Sequence, residues 1–188
     1  MALKNFMRLF VDMIKNVYVN NLNLFVTESN IIEGINDISA DKVHLNALSD
    51  FLLLGKITIP ALVVFVNQIQ PGAYLRQNPG DSVMIGGYVC PPPSRVEGLL
   101  FNLLADINEK LISAYEAHCR YEMIHPFMDG NGRSGRAIWL WIWVNQLKRA
   151  APASFLHMFY YESLQDYRQT RREQLAGYWK NVGANRVN

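Results

Sequence analysis

The sequence predicts an all-α, mainly helical fold carrying one small β-hairpin, and three observations lead there. Apolar residues recur at three-and-four spacing through most of the chain, which marks helices with one buried face. The pattern breaks between Pro71 and Pro93, where Pro71-Gly72, Pro79-Gly80 and Gly86-Gly87 divide the chain into short segments. A length of 188 residues, 50% of them hydrophobic, suffices for one sizeable core, so a single domain over 1–188 is expected.

The elements follow in order. Leu3, Phe6, Met7, Phe10, Met13, Ile14 and Val17, interleaved with Lys4, Arg8, Asp12 and Lys15, predict a first amphipathic helix. Charge interrupts each of its apolar stretches, so it is not a signal peptide. A second helix is expected over Ser29 to Glu33, ending at Gly34, because glycine is the usual residue just past a helix end. A third starts near Ser39 and stops before Gly55, with Val43, Leu45, Leu48, Phe51 and Leu52 as its stripe. Pro60 suits the first turn of a helix reaching Ile69. Ala73 to Arg76 and Ser82 to Ile85 are the short segments from which the hairpin is expected. Ser94-Arg95-Val96-Glu97 has the capping-box form and predicts one long helix from about Arg95 to Ile124. Ala137 to Val144 is apolar on all sides, with Trp139, Trp141 and Trp143 as packing residues of a central helix.

Charge and cysteine usage exclude several functions. A net charge of +2 is too small to make nucleic acid or an acidic membrane the main partner. The local excess at Arg168, Arg171, Arg172, Lys180 and Arg186 reads as a solvated helix face. Cys90 and Cys119 stand alone, without metal-ligand or redox spacing, and suit a reducing cytoplasm as small buried residues. The longest apolar stretch, Phe51 to Val66, contains Lys56 and Pro60 and is short for a bilayer span. A soluble, cytoplasmic protein is therefore expected.

The chemistry concentrates in His125-Pro-Phe-Met-Asp-Gly-Asn-Gly-Arg-Ser-Gly-Arg136, between two expected helices. Gly130 and Gly132 permit backbone angles that turn successive N–H groups inward as an anion nest. A helix starting near Ser134 would add its partial positive charge. Arg133 and Arg136, three apart, would offer forked guanidinium groups to phosphate oxygens. Asp129 is a hard oxygen ligand suited to Mg²⁺, and His125 has the intrinsic acidity to accept a proton from a hydroxyl.

This stretch resembles the Fic family signature HPFx(D/E)GNGRxxR, and every fixed position is present. With eight fully fixed positions, an accidental match is on the order of 10⁻¹⁰ per position tried. The segment Tyr74 to Pro93, within an expected flap over about 73–93, is similar to the family's flap, and Tyr160-Tyr161 resembles a tyrosine pair lining its nucleoside pocket. The resemblance implies transfer of AMP from ATP to a Ser, Thr or Tyr hydroxyl of a target protein, assisted by Mg²⁺ or Mn²⁺. It further implies that His125 activates the hydroxyl and Asp129 holds the metal. Gly130, Asn131 and Gly132 would hold the α- and β-phosphates and Arg133 and Arg136 the β and γ groups, with Ser134 also among the nucleotide-binding residues.

Ser29-Asn30-Ile31-Ile32-Glu33-Gly34, within an N-terminal segment of about 27–35, resembles the family's inhibitory pattern (S/T)xxxE(G/N). The resemblance implies that Glu33 pairs with Arg136, with Ser29 in the same motif, and keeps ATP from a productive pose. Val83, Met84, Ile85 and Gly86 are the expected docking strand for the target, through main-chain pairing. Alternatives are transfer of another phosphate-containing group, removal of AMP with Glu33 aligning water, or a non-enzymatic nucleotide-binding module. The apolar surface of the first helix could serve a homo-oligomer.

Overall fold

The computed structural model describes residues 21–149, 164 and 166–170. The chain divides into two compact units, Met1–Phe155 and Leu156–Asn188. In the second unit the described residues are helical, and Leu164 is buried. The expected helix before residue 20, Tyr160, Tyr161 and the cations beyond residue 170 lie outside the described residues.

In the first unit, helix α1 covers 21–32 of the described residues, followed by α2 (Ile38–Leu52) and α3 (Ile59–Ile69). Strands β1 (Met84–Ile85) and β2 (Tyr88–Val89) come next, then α4 (Pro93–Asn108), α5 (Ala114–Ile124) and α6 (Asn131–Trp141). The fold is mainly helical with one small antiparallel hairpin, as the sequence predicts. Local signals explain most boundaries. Asp37 caps α2 by accepting from Ser39 N at 2.9 Å, and Thr58 caps α3 with Pro60 in its first turn. Gly34, with φ of 74°, ends the first helix as expected of a glycine stop.

Three expectations are corrected. Arg95 to Ile124 is not one helix: α4 ends at Asn108, Lys110 takes a left-handed φ of 59°, and Ser113 caps α5 by accepting from Glu116 N at 3.1 Å. A second, local cap thus outcompetes continuation of the apolar stripe. Nor does Ser94 cap α4. The preceding Pro92 sits at the N-cap without any side-chain cap bond, and Pro93 supplies the first helical residue because its fixed φ suits that turn. The hairpin also differs, since Met84 pairs with Val89 and Ile85 with Tyr88 across Gly86-Gly87, whose φ values of 52° and 76° suit a two-residue turn. Leu75 instead pairs with Phe127, outside the hairpin.

Helix α6 lies at the centre, packed most extensively on α5 and also against α2 and α3. Ala137, Ile138, Leu140 and Trp141 are all buried with Leu48, Phe65, Leu100 and Ile107. Each large apolar side chain buried this way contributes roughly 1.5–3 kcal/mol. The tryptophans pack as expected: Trp139 stacks on Trp143 at 5.0 Å between ring centres, and Trp141 Nε1 donates to Leu54 O at 2.9 Å. Beyond α6 a π-helical turn, Ile142–Gln146, aims two amides at exposed helix ends. Asn145 donates to Leu52 O of α2 and Gln146 to Ile107 O of α4, which also accepts from Lys110 N at 3.0 Å.

Candidate functional site

The 125–136 segment joins α5 to α6 and is braced by its own side chains. His125 ends α5 in the left-handed region, with φ of 48° and ψ of 64°. Beyond it, Arg76 N donates to Pro126 O at 2.8 Å and Met128 N to Tyr74 O at 3.1 Å, so residues 74–76 and 126–128 run as a short ladder. Asn131 closes the loop from within: its Oδ1 accepts from Phe127 N and its Nδ2 donates to Phe127 O. Ser134 Oγ bonds Gly130 O at 2.8 Å and Tyr121 OH at 2.7 Å.

These contacts revise how the loop could hold an anion. Helix α6 begins at Asn131 with Gly130 as its N-cap, three residues before the expected start near Ser134. The side chains of Asn131 and Ser134 brace the loop, which leaves main-chain N–H groups of the first helical turn to face a ligand. Gly130 has φ of 80°, and a β-carbon there would sit 3.3 Å from Val66 Cγ1, so both conformation and space call for glycine. Arg133 is buried, with Nη1 donating to Ile69 O at 2.8 Å and Nη2 to the Gln70 side chain. Its guanidinium thus also caps the end of α3. Burial lowers its pKa, while the Glu33 and Asp129 carboxylates oppose that shift.

Arg136 is fully buried and meets α1. Its Nε donates to Ser29 Oγ at 2.8 Å, and its Nη2 donates to Ser29 O at 2.8 Å and to Glu33 Oε1 at 2.7 Å. A β-carbon on Gly132 would overlap the Glu33 carboxylate, which therefore lies directly on the first turn of α6. Ser29 and Glu33, one helical turn apart, are thus both brought to the loop. Helix α1 is secured independently of Glu33. Asn30 Nδ2 donates to Asp41 Oδ1 at 2.7 Å, Thr27 Oγ1 to Asp41 Oδ2 at 2.6 Å, and Asn30 Oδ1 meets His44 Nδ1 at 3.0 Å. Burial, aided by the charges of Arg133 and Arg136, pushes the His44 pKa down to about 3.

Below the loop, α5 carries a buried line of polar groups. His118 and Glu122 are both buried, and Glu122 Oε2 lies 3.9 Å from His125 Nδ1. Gly135 gives these groups room, since a β-carbon there would lie 2.5 Å from Glu122 Oε1 and 3.0 Å from His118 Nδ1. Burial pushes the His118 pKa down to about 3, against the effect of a Gly135 backbone hydrogen bond. Asp129, by contrast, is exposed, and its Oδ1 accepts from Gly130 N at 2.6 Å.

Arg76 is a functional-site residue that the pattern of the sequence does not disclose. It is fully buried, and its guanidinium donates to four carbonyls: His125 O at 2.7 Å, Ile124 O and Asp81 O at 2.8 Å, and Pro91 O at 3.2 Å. It thereby caps α5, fixes the backbone of His125 and ties both to the base of the hairpin. The hairpin projects outward, with Met84 and Gly86 exposed and Val83 and Ile85 half-buried. Among the described residues its sheet has two strands, which leaves the outer edge of Val83 to Gly86 unpaired by a third.

Comparison with known proteins places this geometry. The Fic/DOC family matches residues 44–143, a span that holds the whole loop and hairpin but not Glu33. A probable protein adenylyltransferase of Aquifex aeolicus (strain VF5) is 27% identical over 135 residues, covering 65% of this chain. The match spans 41% of that relative's length. Among solved structures, a Fic domain containing signalling protein from Bacteroides thetaiotaomicron VPI-5482 superposes with a TM-score of 0.55 at 20% identity, over 68% of this chain and 64% of its own. A crystal structure of IbpAFic2 covalently tethered to Cdc42 gives a TM-score of 0.59 at 21% identity, over 76% and 52%. At these identities the structures share the fold with this chain.

Proposed function

The chain belongs to the Fic/DOC family, and from that premise we propose that it transfers AMP from ATP to a hydroxyl of a target protein, under restraint by Glu33. The observation that carries the reading is the carboxylate of Glu33 on Gly132 and against the buried Arg136. That carboxylate stands in for a phosphate: a negative group at a helix N-terminus and on a buried guanidinium. A triphosphate reaching the loop would meet the first-turn N–H groups of α6 with its inner phosphates and Arg136 with its outer one.

In this reading the acceptor oxygen attacks the α-phosphorus. A new P–O bond forms to the target while the bond between the α-phosphorus and the bridging oxygen breaks, and pyrophosphate leaves with that electron pair. His125 takes the hydroxyl proton. Most of the rate would come from alignment and from fixed dipoles around the phosphates. Asp129 suits Mg²⁺ or Mn²⁺, because it is an exposed carboxylate at the same helix end. Such an ion, when bound, would neutralise phosphate charge. The acceptor would reach His125 along the hairpin edge Val83 to Gly86, and the tethering of IbpAFic2 to Cdc42 in a similar fold supports a protein acceptor.

The same Glu33 position supports a second reading, removal of AMP from a modified target with the carboxylate aligning water. One experiment tests the first and separates its rivals. A Glu33→Gly protein is incubated with lysate and with ATP labelled at either the α- or the γ-phosphorus. Label from the α-position alone, absent in Glu33→Gly/His125→Ala, is the expected result. Label from the γ-position would indicate phosphoryl transfer, and loss of AMP from a pre-modified target only when Glu33 is present would indicate removal. Tight nucleotide binding without any label transfer would leave a binding module.

A further inference from the structure

His125 can accept a proton only through a nitrogen that carries a lone pair and faces the substrate. Its Nδ1 is shut off from solvent, so an acceptor hydroxyl approaching the ring would meet Nε2. Glu122 Oε2, on the preceding turn of α5, lies 3.9 Å from Nδ1. A nitrogen lone pair aimed at a buried carboxylate is repelled, whereas an N–H aimed there is attracted.

We propose that Glu122 is a positioning residue for His125, its buried carboxylate holding the imidazole in the Nδ1–H tautomer so that Nε2 carries the lone pair. The inference rests on the transfer reading above for its role in turnover. When Nε2 takes the hydroxyl proton, the imidazolium gains a facing negative charge, and the contact shortens toward a hydrogen bond as the site closes on substrate. Three features make the carboxylate a fixed part of the site. It sits on the last turn of the helix that His125 ends, it is 5% exposed, and Gly135 leaves it a berth that any side chain would fill. His118, packed on the same glycine, stays neutral and adds no competing cation. On the opposite side Arg76 fixes the His125 backbone through its carbonyl, so ring and main chain are held by different charges.

The test combines kinetics with a measurement that needs no turnover. Nitrogen-15 NMR of the Glu33→Gly protein, with His125 assigned by the signals lost in His125→Ala, should show the Nδ1–H form. In Glu33→Gly/Glu122→Gln the Nδ1–H population should fall, and kcat should drop roughly 10- to 1,000-fold while KM for ATP stays within about threefold. A merely structural role would lower the melting temperature and leave the tautomer unchanged. An Nε2–H tautomer in the Glu33→Gly protein overturns the proposal even if Glu122→Gln fails to fold. So does a folded Glu122→Gln variant with unchanged kcat and tautomer. Absence of AMP transfer by Glu33→Gly itself would sink the transfer reading instead, while the tautomer would still report on Glu122.

Discussion

Replacing Glu33 with glycine should raise AMP transfer, by an amount that follows from its contact with Arg136. The contact is one charge-assisted hydrogen bond of 2.7 Å, a class worth roughly 1.5–3 kcal/mol. The Glu33 side chain is 33% exposed, so solvent screening favours the low end, about 1.5–2 kcal/mol. On the proposed reading, a triphosphate would have to displace that contact to reach Arg136. Since about 1.4 kcal/mol is tenfold, removal should raise kcat/KM for ATP roughly 10- to 30-fold. Glu33→Gln keeps the shape but loses the charge, and should recover about fivefold, because a neutral hydrogen bond is about half as strong. Glu33→Gly combined with Arg136→Ala should show no gain. The assay is the initial rate of label transfer from α-labelled ATP, with Mg²⁺ present and ATP well below KM. A Glu33→Gly rate within twofold of the parent would refute the reasoning.

Three further outcomes are expected. Asp129→Ala should reduce the rate and flatten its dependence on Mg²⁺ concentration, as read from metal titrations of transfer; full activity in excess chelator would exclude a metal role. Arg76→Met should destabilise the fold by about 3 kcal/mol or more, because it strips the donor from four carbonyls, those of Asp81 and Ile124 in buried bonds. In a thermal melt that is a loss of roughly 6–12 °C, and a shift under 2 °C would contradict it. His44 and His118 stay neutral in the fold down to pH about 3 but protonate near 6.5 when unfolded. Their contribution is therefore complete above pH 6.5 and declines as pH falls from 6.5 toward 3, by about 2 kcal/mol each at pH 5. Urea unfolding of the parent and of His44→Gln between pH 7 and 5 checks this: the parent should lose stability faster.

What the sequence could and could not disclose follows the range of the interactions. The 125–136 loop is legible because its glycines, asparagine and arginines act within a dozen residues, where local chemistry restricts the choice of side chain. Gly34 and Pro60 are legible for the same reason, each acting on its own turn. The break between α4 and α5 is visible in hindsight at Ser113 with Glu116, but the unbroken apolar stripe on either side masks it. Arg76 is hidden because its acceptors lie as far as 49 residues away, and an arginine beside a glycine-rich segment reads as surface. The pinning of Asn30 by Asp41 and His44 is hidden likewise: the spacings of 11 and 14 cross a helix boundary. Glu122 left a trace, a lone carboxylate one turn ahead of the histidine and facing inward, although polar residues at that spacing are common on solvated helices.

Ser29 gives Arg136 two grips that Glu33 does not supply, one through its hydroxyl and one through its carbonyl, both at 2.8 Å. When the carboxylate leaves, the guanidinium is therefore still aimed, in the orientation that the carboxylate had occupied. On the proposed reading, the restrained state would be a mould of the working one. Little side-chain disorder has to be removed when an anion arrives, because the ordering of Arg136 is already complete. Ser29, although it sits in the proposed restraining motif, would thus serve both states. Losing its hydroxyl should slacken the arginine and blunt the gain expected on loss of Glu33, so that the two ends of one helical turn would pull the same guanidinium toward opposite outcomes.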